Sequence, residues 1–338
     1  MWIISIGSCG QSLMQSNISG DSPSMLITGA NGFIGKSLCA ELLRQGQFVR
    51  AAMRFGNLPI ENIETVSIGV IDGETDWTNA LLGIKVVVHL AARVHVIKDN
   101  AVDPLDELRK VNVDGAWNLA LQAAEAGVQR FIFISSIKVN GDGTLLGRPY
   151  TADDQPAPVD PYGISKFEAE DALRRLAEQT GMEVVIIRPS LVYGPGVKAN
   201  FYSMMHWLKK GIPLPLGAIR NKRSFVALDN LVDLIVTCID HPAAANRTFL
   251  AADGEDLSTT ELLQRMGNAL GKPVKLFPMP IWILKAAAML VGKRDMAQRL
   301  CNSLQVDISE ARDLLGWQPP VSVDDALKKT ATDFLQKS

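Results

Sequence analysis

Tyr162 and Lys166 stand four residues apart, so on a helix they share one face, one turn from each other. An ammonium held beside a phenol favours the phenolate and lowers the phenol's pKa from roughly 10. Such a pair can act as a general acid/base near neutral pH, which an isolated tyrosine does poorly. A solvated helix surface also produces this spacing by chance, so the pair alone decides little. Two further features strengthen the chemical reading. Ser135 and Ser136 follow the apolar run Arg130–Ile134, and a glycine-rich turn opens at Gly29.

The elements that must position these groups can be traced in the same sequence. Met25–Thr28 reads as a short apolar strand that runs into Gly29, Ala30, Asn31, Gly32, Phe33, Ile34 and Gly35. A helix is expected from Phe33 to Gln45, with Ile34, Leu38 and Leu42 on one face. Strand, glycine turn and helix N-terminus together make a phosphate site: the glycines let backbone approach a pyrophosphate, and free N–H groups with the helix dipole attract its charge. The bland alternative is a tight turn that binds nothing. A second strand is expected over Phe48–Met53, with Arg54 at its end where NAD sites carry a carboxylate for the ribose hydroxyl. An arginine there suits a 2′-phosphate, so NADP(H) is favoured, with NAD(H) as the other choice. A third strand is expected near Glu64–Ile68, after which Asp72 can reach the adenine amino group.

Val86–Ala92 is apolar enough for a strand buried on both faces, and Leu90, Ala91 and Ala92 at its end leave room for a cofactor backbone. A long helix over Leu105–Ala126 carries Asn112. Strand Arg130–Ile134 then delivers Ser135 and Ser136 at a strand's C-terminal end, where open α/β sheets place their ligands. Alternation of this kind predicts an α/β fold, a Rossmann-type doubly wound parallel sheet with helices on both faces.

The motifs resemble the extended short-chain dehydrogenase/reductases of the nucleotide-sugar epimerase/dehydratase group. The resemblance rests on Thr28–Gly35, His89–Ala92, Ser135 and Ser136 before Val139–Gly141, and Tyr162–Lys166. Further on, Arg188 with Pro189, Val192–Pro195, and Arg223–Val226 with Asp229 follow in family order. It implies that Ser136 hydrogen-bonds the reacting sugar oxygen, that Tyr162 is the acid/base, and that Lys166 holds the nicotinamide ribose while depressing the tyrosine pKa. Arg223 would contact the substrate diphosphate, a bidentate task suited to guanidinium, with a salt bridge to Asp229 or a neighbour as its structural alternative. Asn200 would touch the sugar nucleotide. Family members often dimerise through the Leu105–Ala126 helix and the one carrying Tyr162, so a homodimer is implied.

Two departures matter. The dehydratases of the group place Asp and Glu after the catalytic Ser/Thr to eliminate water; here Ile137 and Lys138 stand there, which disfavours dehydration. Asn140 replaces a tyrosine common in the group, for a reason the sequence does not give. The whole pattern is most similar to bacterial reductases of UDP-2-acetamido-2,6-dideoxy-4-keto-hexoses in lipopolysaccharide O-antigen synthesis. That implies a UDP-sugar substrate reduced at C4, and NADP(H) suits a dissociable reductant. The alternatives are a UDP-hexose or UDP-HexNAc 4-epimerase with tightly bound NAD, and a non-catalytic NADP-binding regulator, which Tyr162 and Lys166 argue against.

Bulk properties bound the rest. The 338 residues are 47% hydrophobic and 21% charged, enough for a large core. Basic and acidic residues nearly cancel at 34 against 36, so nucleic acid is not expected as a partner. Four scattered cysteines and four histidines suggest neither disulfides nor a metal, and a reducing cytoplasm is the expected location. Met1–Ser24 lacks a basic n-region and a long apolar run and reads as a disordered tail, with Met25 as a natural start. The cofactor domain is expected over residues 25–190 with returns near 228–251. A smaller substrate-binding lobe would occupy 191–338, clustered with Pro and Gly. Ile281–Val291 is apolar but only eleven residues long, too short for a membrane span. Packing within the lobe is its bland reading; contact with a membrane surface, helped by Lys293 and Arg294, is the sharper one.

Overall fold

The computed structural model describes residues 24–55, 60–94, 103–290, 292 and 294–337. Of the expected tail only Ser24 falls among them, its N–H donating to the Phe48 carbonyl.

Seven parallel strands form the main sheet: β1 (Met25–Thr28), β2 (Val49–Met53), β3 (Glu64–Ser67), β4 (Val86–His89), β5 (Arg130–Ile134), β6 (Glu183–Pro189) and β9 (Thr248–Ala251), in the order β3-β2-β1-β4-β5-β6-β9. Strands β7 (Leu191–Tyr193), β8 (Arg223–Ala227) and β10 (Asp256–Leu257) make a second, three-stranded sheet. The central strands are buried on both faces, so successive side chains feed opposite layers. Ile132 and Ile134 join one core cluster, while Phe131 and Phe133 join the other.

Helices fill both layers. On one side lie α1 (Phe33–Arg44) and, later in the chain, α7 (Leu228–Asp240) and α11 (Ser309–Leu315), supplying Leu38, Leu231, Ile235 and Leu315. On the other lie α2 (Thr78–Leu81), α3 (Pro104–Arg109), α4 (Gly115–Glu125) and α5 (Pro161–Thr180), supplying Leu81, Leu119, Leu173 and Leu176. The helix expected over Leu105–Ala126 is present but not uniform. A π-helical turn, Lys110–Asp114, joins α3 to α4 and holds Asn112 inward. Helices α6 (Ala199–Lys209), α8 (Thr259–Ala269) and α12 (Val323–Gln336) pack with the small sheet in a third cluster around Tyr193, Phe201 and Leu263. Between them, α9 (Ile281–Leu290) and α10 (Arg294–Cys301) pack on each other.

Strand order reverses between β1 and β4, and such a switch point leaves a crevice at the strands' C-terminal ends. Thr28 fixes that edge: its hydroxyl is 2.8 Å from His89 Nδ1 and accepts from the Ala91 N–H at 3.2 Å. His89 is buried and its pKa is lowered to about 3, by burial first and by the Lys166 charge second. It stays neutral and structural.

Candidate active site

The glycine turn sits at this switch point. Gly29 has φ +66, and a Cβ there would stand 2.9 Å from the Ala91 backbone nitrogen. A Cβ on Gly35 would come within 2.2 Å of the Gly29 carbonyl oxygen, so only glycine lets α1 approach the turn this closely. Gly32 is the N-cap of α1, which has neither a side-chain cap nor an acidic residue in its first turn. The leading N–H groups around Phe33, Ile34 and Gly35 are thus left for an anion. Asn31 and Gly32 are exposed beside them, and Leu90, Ala91 and Ala92 line the end of β4. This cradle fits a dinucleotide pyrophosphate.

Arg54 is exposed just beyond β2, its carbonyl accepting from Ser67 Oγ at 3.3 Å. Asp72 is half-buried and turned to its own loop, where Oδ1 accepts from the Glu74 N–H at 3.0 Å and from Thr75 Oγ1 at 3.1 Å.

Tyr162 and Lys166 lie in the first turns of α5. Local chemistry starts the helix there: Asp160 caps it by accepting from the Gly163 N–H at 2.7 Å, and Pro161 occupies the first turn. Gly163 has a second use. A Cβ there would lie 2.7 Å from the Lys138 carbonyl, so glycine lets α5 close on the turn carrying Ser136. Ser136 caps that short 3₁₀ turn, Ile137–Val139, its hydroxyl accepting from the Lys138 N–H at 3.2 Å. Ser136, Tyr162 and Lys166 are thereby brought to one end of the sheet.

Asn112 ties this assembly to β4. Its amide exchanges hydrogen bonds with the Arg93 backbone at 2.8 and 3.0 Å and donates to Ser165 Oγ at 3.0 Å. Ser165 Oγ in turn donates to the Tyr162 carbonyl at 2.8 Å.

One electrostatic expectation fails. Lys166 does not hold the Tyr162 pKa down in the bare protein: Tyr162 is pushed up to about 12, by burial first and by the Asp160 carboxylate second. The lysine spends its charge elsewhere. Its side chain is buried and its ammonium lies 3.8 Å from the Phe133 ring centroid. Burial lowers the Lys166 pKa from 10.5 to about 7, with Glu170 opposing the fall. A depressed lysine pKa costs stability nowhere above 10.5, increasingly as pH falls toward about 7, and fully below that. Lys166→Met is therefore expected to stabilise the cofactor-free protein by ~2 kcal/mol or more near neutral pH. The gain should shrink as pH rises toward 10.5, which chemical denaturation at several pH values would check.

Sequence reasoning missed the cluster behind these residues. Glu170, one turn beyond Lys166, is fully buried and accepts from Ser135 Oγ at 2.5 Å, from Arg188 Nε at 2.9 Å and from Arg188 Nη2 at 2.6 Å. Arg188 Nη1 donates to Asn140 Oδ1 at 3.0 Å, and Asn140 Nδ2 donates to the Thr151 carbonyl at 3.1 Å. The replacement of a tyrosine by Asn140 thus has a physical account: a short amide accepts from a buried guanidinium. The i to i+4 spacing of Lys166 and Glu170 was the available signal. Ile137 is buried, and Lys138 pairs with Asp142 and with Asp160, so neither can move protons at a sugar as a dehydratase pair would.

On the second lobe, Arg223 donates from Nη1 to the carbonyls of Arg299 at 2.8 Å and Asn302 at 3.2 Å. The salt bridge to Asp229 does not form; Asp229 pairs with Lys329 at 2.5 Å instead. Arg223 has no acidic partner among the described residues, and burial and the neighbouring Arg299 lower its pKa. A guanidinium held by carbonyls and without a carboxylate, with the charge of a second arginine near it, suits a diphosphate. Arg299 lies 76 residues away in sequence, so no local spacing signals it. Asn200 falls on the first turn of α6, with its side chain outside the described residues.

Comparison with known proteins places this geometry. Residues 25–252 match the epimerase family described as the NAD dependent epimerase/dehydratase family. A UDP-glucose 4-epimerase of Vibrio cholerae is 51% identical over 315 residues, spanning 93% of this chain and 96% of that protein. An N-acetyl-alpha-D-glucosaminyl-diphospho-ditrans,octacis-undecaprenol 4-epimerase of Escherichia coli O157:H7 is 26% identical, over 90% of this chain and 93% of that one. The solved structure of UDP-glucuronic acid 4-epimerase from Bacillus cereus, in complex with NAD, superposes with a TM-score of 0.75 over 93% of this chain and 99% of that one. At 22% identity that likeness speaks for the fold alone. The preference for NADP(H) drawn from Arg54 finds no support in these relatives, because an exposed arginine after β2 is not by itself a phosphate site. The chain belongs to the NAD dependent epimerase/dehydratase family.

Proposed function

We propose that the protein is a UDP-hexose 4-epimerase that keeps NAD bound through the catalytic cycle. The observation that carries this reading is the 51% identity to a UDP-glucose 4-epimerase along nearly the whole of both chains. It reverses the order of the two readings drawn from sequence, in which a 4-keto reductase stood first. The Escherichia coli relative is also named a 4-epimerase of a glycosyl diphosphate, which supports the same reaction on a related substrate.

The chain's own residues supply what that reaction needs. The cradle at Gly29, Gly32 and Gly35 holds the pyrophosphate, and Lys166 lies where it can hold the nicotinamide ribose. NAD held there would supply the hydride acceptor and donor for C4, and its positive ring would favour the Tyr162 phenolate. Tyr162 removes the proton of the C4 hydroxyl and later returns it, while Ser136 hydrogen-bonds the same oxygen in both directions. Arg223 and Arg299 hold the diphosphate, so the sugar can turn its other face to the cofactor while its anchor stays fixed. That anchor lies on the three-stranded sheet packed with α6, α8 and α12, whereas α7, β9 and α11 of the same half of the chain return to the main sheet. Two protomers would pair through α4 and α5, where Trp117 offers an exposed apolar anchor.

Mass spectrometry of the cofactor retained after purification tests the choice. Stoichiometric NAD, with UDP-glucose and UDP-galactose interconverting without added cofactor, is the expected result. An empty site, with reduced cofactor consumed one for one by a 4-keto sugar nucleotide, would restore the reductase.

A further inference from the structure

Helix α9 is apolar along its length and none of its residues is buried. Among its side chains Trp282 is 72% exposed, Met289 59% and Leu290 89%, and Phe277 just before it is 42% exposed. Trp282, Lys285, Ala286 and Met289 recur at helical spacing on one outward side, while Ile281, Ile283 and Leu284 are half-buried. No helix among the described residues is long and apolar enough to cross a membrane, so a bilayer could take this one only along its surface.

Charge decides which surface. Residues 272–301 carry six basic residues and one acidic residue, in a chain whose formal net charge is −2. A symmetric dimer through α9 would bring two copies of this basic segment together, like charge facing like charge. An anionic lipid surface meets both needs. It takes Trp282, Met289 and Leu290 into the headgroup–acyl boundary and leaves Lys285, whose stem can snorkel, and Arg294 at the phosphates. We propose that α9 and α10 dock the protein on an anionic bilayer. Because the last turn of α10 accepts from Arg223 through the Arg299 carbonyl, docking sets the diphosphate anchor next to the membrane plane. This surface is independent of which C4 reaction the site performs.

Vesicle flotation tests it, using phosphatidylcholine mixed with phosphatidylglycerol against phosphatidylcholine alone. The full chain is expected to float with the mixed vesicles. Trp282→Ser combined with Leu290→Ser should weaken partition at least ~10-fold, since two exposed apolar side chains lose their burial. Lys285→Glu combined with Arg294→Glu should remove the dependence on phosphatidylglycerol. All four positions are exposed and outside the catalytic set, so turnover of UDP-glucose in solution should stay unchanged in both variants. Wild-type protein that stays unbound with both vesicle types would overturn the proposal. So would a dimer that the Trp282 and Leu290 substitutions break, with no vesicle binding, because a second copy would then be what covers the helix.

Discussion

Tyr162→Phe is expected to lower turnover by about 10²–10⁴-fold while leaving NAD bound. The substitution keeps the ring and removes only the hydroxyl, and no hydrogen bond that shapes α5 passes through that hydroxyl. The helix is held by Asp160 at its cap and by Asn112 and Ser165 at the Tyr162 carbonyl. The loss would therefore report proton transfer and not folding. Its pH dependence adds a second check. In the bare protein burial and Asp160 push the phenol up to about 12, so base function near neutral pH needs positive charge beside it. Wild-type kcat/KM should rise with pH across the neutral range as the phenolate fraction grows, and the Phe variant should be flat. Steady-state interconversion of UDP-glucose and UDP-galactose would measure both. A Phe variant within a few-fold of wild type would take the acid/base role away from Tyr162.

Much of the architecture was legible because it rests on local periodicity. The apolar runs at Met25, Val86 and Arg130 are strands at those places, and the glycines at positions 29, 32 and 35 sit on the turn into α1. Ser136, Tyr162 and Lys166 come to one end of the sheet for the same reason: each follows a recognisable strand or cap. What was not legible depends on burial between distant segments. The lowered pKa of Lys166 comes from its enclosure over Phe133, and a YxxxK spacing says nothing of that. The Arg299 carbonyl accepts from Arg223 across 76 residues of chain, a contact between distant segments that no local pattern announces. The π-turn at Lys110–Asp114 turns Asn112 inward within what reads as one helix. The preference for NADP(H) drawn from Arg54 finds no support: the residue type alone does not make a phosphate site.

Glu170→Ala is expected to cost about 3–5 kcal/mol of stability, the range found when one partner of a buried ion pair is removed. The carboxylate is fully buried and is paired with Arg188, whose guanidinium is buried too. Arg174, also at 3.0 Å from Glu170, is 40% exposed and can turn to water, so it contributes little to the cost. Arg188 cannot turn away: Asn140 holds its Nη1, and the surrounding core leaves no path to solvent. The stranded guanidinium, and not the lost attraction, sets the size of the effect. It follows that Glu170→Leu combined with Arg188→Met should recover a large part of the loss, since apolar groups of similar volume replace both charges. Activity should separate from stability in that pair. Ser135 loses the acceptor that anchors it beside Ser136, and Lys166 loses the carboxylate that opposes the fall in its pKa. The double variant should therefore unfold near the wild-type denaturant midpoint yet turn over more slowly, with a pH profile displaced because Lys166 sheds its proton more readily. If stability and turnover recover together, the cluster is packing alone. If neither recovers, the hydrogen bonds to Ser135 and Asn140 matter more than the charge pair, and the loop from Ser135 to Gly141 is what the cluster exists to hold.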